Sequence, residues 1–203
     1  MIKNIILDMG NVLLNYDPEV CLNRFLDCEE DRAVIRQELF EGPQWIEGDL
    51  GYIKDAERFD EVSKRVPERL HGALRKCVLE WMMCMWPVAG AREFCDEAKK
   101  AGYQLYVLSN ASDAFYDYFP RFAPFTYFDG IVVSCDIHML KPDSGIYQYL
   151  LDKYRLSAQE CFFVDDRAEN VDGAERLGIR GIVFDGDFEK VKEKILKIAG
   201  EEQ

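Results

Sequence analysis

Four short apolar runs in the second half of the chain, Gln104 to Leu108, Ile131 to Ser134, Cys161 to Val164 and Gly181 to Phe184, alternate with stretches of helical periodicity. The runs are too short for buried helices and are rich in β-branched or aromatic residues, which predicts strands. Between and after them, Ile146, Leu150 and Tyr154 step by four and Val171, Ala174 and Leu177 by three. Phe188, Val191, Ile195 and Ile198 form a closing amphipathic stripe. Gly102 and Gly178 stand just past such patterns, as helix stop signals do. A fifth run, Asn4 to Leu7, opens the chain. Strands alternating with helices predict an α/β fold built on a doubly wound parallel sheet.

The interval between the first two runs breaks this rhythm. Residues 16–86 carry helical stripes instead: Ile53, Ala56, Phe59, Val62 and Val66 make one, and Leu70, Leu74, Val78, Trp81 and Met85 another. Pro18, Gly42-Pro43, Gly48 to Gly51 and Pro67 punctuate the segment. We read it as a helical cap domain inserted into a core formed by residues 1–15 and 87–203. A lid in that position excludes water and selects substrate. Trp45, Tyr52 and Trp81 either line a pocket or pack the cap helices; Tyr16 and Trp45 are the choices for ligand contact.

The strands end on polar residues. Asp8 follows Ile5-Ile6-Leu7, Ser109-Asn110 follow Val107-Leu108, and Asp165-Asp166 follow Phe163-Val164, while Lys141-Pro142 lies in a loop. In an open α/β sheet the carboxyl ends of the strands share one rim, so these groups can meet. A strand-end carboxylate also serves turns, Ser-Asn also caps helices, and Lys-Pro suits any surface loop. Their joint order points to Mg²⁺ binding and phosphoryl transfer. Asp8 is the candidate nucleophile, Lys141 the group that neutralises phosphoryl charge, and Ser109 and Asn110 the holders of phosphoryl oxygens. Asp8, the Gly10 carbonyl, Asp165 and Asp166 are the candidate Mg²⁺ ligands, since that ion takes oxygen donors and tolerates a repelling acid pair.

The net charge of −13 speaks against nucleic acid or an anionic membrane as partner, both of which need a basic face. The first apolar stretch is interrupted by Asp8 and is too short for a signal peptide or spanning helix. Seven cysteines with no CxxC pair fit a reduced, cytoplasmic protein, and Cys77 and Cys84 read as small core residues. His71 and His138 form no metal motif or triad, although His138, close to Lys141, is placed to border the cleft.

In motif order the chain resembles the haloacid dehalogenase superfamily over nearly its whole length. The resemblance implies a Rossmann-like core with a helical cap after the first strand. It also implies Asp8 as nucleophile, Ser109 as phosphate binder, Lys141 as the conserved-motif lysine, and an acid pair whose second member, Asp166, touches the metal. One departure stands out. Phosphatases of that superfamily usually carry an acid-base aspartate two residues after the nucleophile, and here that position is Gly10. General acid-base help is worth roughly 10²–10⁴ in rate, so a good leaving group, Asn11, a cap residue or a water has to take its place.

The opening Asp8-Met9-Gly10-Asn11-Val12 is similar to that of a sugar-phosphate phosphatase subgroup that includes an α-glucose-1-phosphate phosphatase. The expected substrate is therefore a small phosphomonoester such as glucose 1-phosphate. Two rivals stay open: a 2-haloacid dehalogenase, which also lacks the second aspartate but gains nothing from Asp165-Asp166, and a phosphate-ligand binding protein without turnover.

Overall fold

The apolar runs become one parallel sheet. In the computed structural model, which describes residues 1–201, the chain begins with β1 (Asn4–Leu7) and the short β2 (Leu14–Tyr16). It then forms α1 (Glu19–Phe25), α2 (Glu29–Ile35), α3 (Pro43–Asp49), α4 (Arg58–Val62) and α5 (His71–Glu80), and returns through β3 (Met85–Pro87). The remainder alternates: α6 (Ala91–Lys100), β4 (Gln104–Ser109), α7 (Phe115–Tyr118), β5 (Gly130–Val133), α8 (Ser134–Ile137), α9 (Ser144–Tyr154), β6 (Cys161–Asp165), α10 (Ala168–Glu175), β7 (Arg180–Val183) and α11 (Phe188–Glu201).

The five parallel strands lie in the order β5-β4-β1-β6-β7. Alternation along each strand supplies two apolar faces. Ile5, Leu7, Leu105, Val107, Phe162 and Val164 join Phe94 of α6 and Phe188, Val191, Ile195 and Ile198 of α11 in one cluster. Ile6, Tyr106, Leu108, Val132 and Phe163 join Ile146, Tyr147, Leu150 and Leu151 of α9 in the other. Covering both faces is what makes the strand sequences almost continuously apolar. Each large side chain so buried contributes about 1.5–3 kcal/mol. Gly102 and Gly178 end their helices with φ of +93° and +85°.

Two features differ from the sequence reading. Ser134 belongs to α8 rather than to a strand, because its hydroxyl accepts from the Ala111 N–H and donates to the Asp49 carbonyl. Residues 16–86 are not free of strand: β2 and β3 pair antiparallel, Tyr16 opposite Met85 and Leu14 opposite Pro87. The helical lobe thus leaves and rejoins the sheet domain through one small hairpin-like ladder. Cys77 and Cys84 are fully buried in the apolar core. No helix among the described residues is long and apolar enough to cross a membrane.

Candidate active site

Strand order reverses at β1, since the chain moves from β1 to β4 and β5 and then returns to β6 and β7 on the other side. The crevice beyond the carboxyl ends at such a point is where ligands bind in these sheets. Asp8 sits there, its N–H donating to the Val164 carbonyl at 2.9 Å. Ser109 ends β4, Asp165 ends β6 with Asp166 next, and Lys141 enters from the loop between α8 and α9. That loop packs close to α10 at Gly173, where a Cβ would fall 2.7 Å from the Pro142 carbonyl oxygen.

Lys141 is the hub. Its Nζ lies 2.6 Å from Asp8 Oδ1 and 2.7 Å from Asp165 Oδ2, in a setting where both Lys141 and Asp165 are buried. The other Asp165 oxygen, Oδ1, accepts from the Arg167 N–H and from Asn170 Nδ2, both at 2.9 Å. Asp166 is more open, and its Oδ2 accepts from Asn11 Nδ2 at 2.9 Å. Asp8, Asp165 and Asp166 each present an oxygen within 4.8 Å of the others. Burial raises the Asp8 carboxyl above the usual carboxylate range; Lys141 pulls it back while Asp165 and Asp166 push it further up. Burial alone would lower the Lys141 ammonium, but Asp8 and Asp165 outweigh it and hold it above its ordinary value.

Two expected phosphoryl holders are placed differently from one another. The Asn110 amide is not free, because it donates to the Lys141 carbonyl at 3.0 Å and accepts from the Lys141 N–H at 2.8 Å. It clamps the backbone that carries the lysine, while Asn110 also lines the crevice. Ser109 is fully buried, with its Oγ lacking a hydrogen-bond partner among the described residues. Gly10 lines the crevice, and a Cβ built there meets nothing nearer than Asp8 Oδ2 at 3.9 Å. Space for a side chain exists where the sequence has none.

Between the sheet rim and the helical lobe lies a cavity of about 490 Å³ whose walls include Asp8, Lys141 and Asp166. Its lobe side is aromatic. Tyr16 stacks on Trp45 with centroids 5.8 Å apart, Trp45 meets Trp81 edge-on at 5.2 Å, and Trp81 meets Tyr118 at 5.4 Å. Tyr16, Trp45 and Trp81 all line the cavity, whereas Tyr52 is exposed and stacks on His138 outside it. His138 does not border the cleft; its Nδ1 is 2.6 Å from the Leu50 carbonyl oxygen. His71 likewise bonds backbone, at Val66 and Ser63.

Sequence reasoning missed Asn170, which holds Asp165, and Asp49, which closes α3 and lines the cavity. Asn170 stands five residues after Asp165, on the first turn and a half of a helix, a spacing that brings a side chain back to the strand end. Asp49 lies within a run that reads only as Gly-rich punctuation.

A strand-end carboxylate, a lysine bridging two acids and an inserted helical lobe are the parts of one class of hydrolase, and a family model agrees. The haloacid dehalogenase-like hydrolase model matches residues 2–178, and the chain belongs to that family. Among similar proteins, the sesquiterpene phosphatase astK of Aspergillus oryzae is 27% identical over 182 residues, 89% of this chain and 88% of that one. Drimenol cyclase drtB of Aspergillus calidoustus is 25% identical over 187 residues, 91% of this chain; the chain spans about a third, 34%, of that longer protein. A HAD family enzyme of Bacteroides thetaiotaomicron, solved as a variant with magnesium and inorganic phosphate, superposes with a TM-score of 0.71 at 22% identity, covering 90% of this chain and 93% of that one.

Proposed function

We propose that the protein is a Mg²⁺-dependent phosphatase that hydrolyses a small phosphomonoester through an aspartyl phosphate on Asp8. The observation that carries this reading is the Asp8–Lys141–Asp165 array at the strand-order reversal, with Asp166 open beside it. In this reading residues 16–86 act as the cap and residues 1–15 with 87–203 as the catalytic core.

The proposed donor set fits a hard divalent cation, being all oxygen: the Asp8 and Asp166 carboxylates, which lie together, and the Gly10 carbonyl. Asp165, expected among the ligands, is assigned instead to fixing Lys141, because both its oxygens already accept hydrogen bonds. When bound, Mg²⁺ supplies Lewis-acid polarisation of a phosphoryl oxygen and offsets the carboxylate repulsion. Asp8 attacks phosphorus in line, Lys141 neutralises charge on the equatorial oxygens, and the buried Ser109 hydroxyl, without a partner among the described residues, takes one of them. A buried hydroxyl left without a partner costs about 1–3 kcal/mol, which a ligand oxygen would recover. Water then attacks the phosphorus of the aspartyl phosphate, releasing phosphate and restoring Asp8. A dehalogenase attacking carbon has no use for Asp166 in this position.

Mg²⁺ at a hundredfold excess over its Kd is expected to raise Tm through about 2.7 kcal/mol of binding linkage, roughly 5–10 °C for a chain of this size. Asp166→Ala is expected to remove that rise and most of the activity; scanning calorimetry with and without chelator measures it, and an unchanged Mg²⁺ response in the variant would reassign the ligand.

For the leaving alcohol, the opening Asp-x-Gly-Asn-Val motif supports a sugar phosphate such as glucose 1-phosphate. The aromatic lobe wall favours a second reading, an ester of an apolar alcohol, and the similarity to a sesquiterpene phosphatase supports it. Comparing kcat/KM for glucose 1-phosphate with that for a long-chain prenyl monophosphate decides between them. If the apolar reading holds, Trp45→Ala raises KM for the prenyl ester roughly ten- to a hundredfold, the worth of about 1.5–3 kcal/mol of buried apolar surface. A KM unchanged for both esters would remove Trp45 from the substrate site.

A further inference from the structure

We propose that Asp49, presented by the last residue of α3, protonates the leaving oxygen and later deprotonates the attacking water. The inference rests on the phosphatase reading and names the group that Gly10 does not supply.

Elimination among the cavity's titratable groups leads to Asp49. Asp8 is the nucleophile, and Lys141 is locked between two carboxylates. Asp166 is claimed by the cation. Arg167 is ion-paired with Glu169 and stays charged. Tyr16 and Tyr118 are held well above their ordinary values by burial, too weakly acidic to give up a proton at neutral pH. Both cavity histidine candidates are absent, since His71 and His138 are spent on backbone carbonyls. Asp49 remains, half-buried on the cavity wall, its carboxylate accepting no hydrogen bond among the described residues.

Its placement is fixed by the sheet domain, although it belongs to the lobe. Ser134 Oγ donates to the Asp49 carbonyl at 2.5 Å, and the next carbonyl, of Leu50, is held by His138. Gly51 follows with φ of +71°, and a Cβ there would lie 2.3 Å from the Cys135 carbonyl oxygen. Only glycine allows both that turn and that approach. The end of α3 is therefore fastened against α8, and Asp49, a lobe residue, lines the same cavity as Asp8. In-line attack by Asp8 sends the leaving oxygen away from the strand ends, and Asp49 is assigned to meet it there. Asp49, Asp8 and Tyr118 all line this one cavity.

Desolvation also suits the carboxyl to the task, raising it to about 7, with Arg58 and Lys141 pulling down and Asp55 pushing up. Arg58 and Asp55 face it from the lobe, Lys141, Tyr118 and Cys135 from the sheet domain, and Tyr16 from β2. In the first half-reaction the Asp8–phosphorus bond forms, the phosphorus–alkoxide bond breaks, and the departing oxygen takes the Asp49 proton. In the second, Asp49 takes a proton from water as the water oxygen bonds phosphorus and the Asp8–phosphorus bond breaks, which restores both acids.

The test compares benzyl phosphate with 4-nitrophenyl phosphate, esters of similar shape whose leaving groups differ widely in basicity. Asp49→Asn is expected to lower kcat/KM for benzyl phosphate by roughly 10²–10³ and for the nitrophenyl ester by less than about tenfold. The fall of benzyl phosphate turnover as pH rises through about 7 should vanish in the variant. Adding Gly10→Asp to Asp49→Asn should restore benzyl phosphate turnover at least about tenfold, because the position has room. Equal losses on both esters, or no loss with the pH limb intact, would overturn the role of Asp49 while an inactive Asp8→Asn leaves the phosphatase reading standing. Failure of the wild-type protein to release phosphate from either ester would overturn both.

Discussion

Asp8→Asn is expected to lower phosphate release by on the order of 10⁴ or more, the scale on which removing a nucleophile acts, while the fold stays intact. The substitution is nearly isosteric, and its amide oxygen can still accept from Lys141, 2.6 Å away in the wild-type protein. Stability should not fall. The Asp8 carboxyl is raised in the folded state, so in the metal-free protein it costs stability as pH rises from its unfolded value through its folded one. The variant escapes that cost, and its metal-free Tm at pH 8 should equal or exceed that of the wild type. Calorimetry alongside a phosphate-release assay measures both effects, and retention of most activity would contradict the assignment of Asp8.

Lys141→Met should be the more damaging change to the protein as a whole. It keeps the apolar stem but leaves Asp8 and Asp165 without their shared cation, in a site where Lys141 and Asp165 are 1% and 0% exposed. Breaking a buried pair in this way costs about 3–5 kcal/mol, because the remaining charge is uncompensated. Activity should fall by roughly 10²–10³ or more from the loss of one charge-stabilising donor. The sign of the pH dependence is specific. The wild-type ammonium is raised above 10.5, so its contribution is complete at neutral pH and lost only as pH climbs through that higher value. In the variant, lowering the pH protonates Asp8 and removes one orphan charge, so the Tm gap to wild type should narrow under acid. A gap of constant size from pH 5 to pH 8 would mean that the lysine acts through packing instead.

The sheet was readable because its strands are buried on both faces: Ile5, Ile6 and Leu7, or Phe162, Phe163 and Val164, leave no other use for such short runs. The site was readable to the extent that its residues end those strands. What each polar group does there was not. Asp165 and Asp166 are adjacent in sequence, and only the fold of α10, which returns Asn170 and the Arg167 N–H to Asp165, gives them different work. Asn110 follows Ser109 directly, yet its amide is drawn away by a backbone thirty-one residues further on. β2 and β3 have three residues each and no periodicity to betray them. Asp49 was hidden for a related reason, since its position is set by Ser134, eighty-five residues away. Long-range contacts of this kind leave no local pattern to read.

The same contacts explain how a lobe inserted between β2 and β3 can shape a cavity without losing register with the sheet. Asp55 accepts from Ser112 Oγ at 3.0 Å and from the Trp81 indole, and its N–H donates to Asp113 at 3.1 Å. With the Ser134 and His138 bonds, these fasten the lobe that carries the aromatic wall and Asp49 to the sheet domain. Arg58, buried at 1% exposure, packs its guanidinium 4.2 Å from the Trp45 ring and 2.8 Å from Asp55.

The aspartyl phosphate is a covalent intermediate, so chemical trapping observes it directly. The enzyme is quenched in acid during Mg²⁺-supported turnover of 4-nitrophenyl phosphate, reduced with borohydride and digested, and the peptide containing residue 8 is sequenced by mass spectrometry. An aspartyl phosphate is reduced to homoserine, whereas a free carboxylate is not. Homoserine is expected at residue 8 only when ester and Mg²⁺ are both present. An unmodified Asp8 in enzyme that is releasing phosphate would contradict the aspartyl-phosphate route.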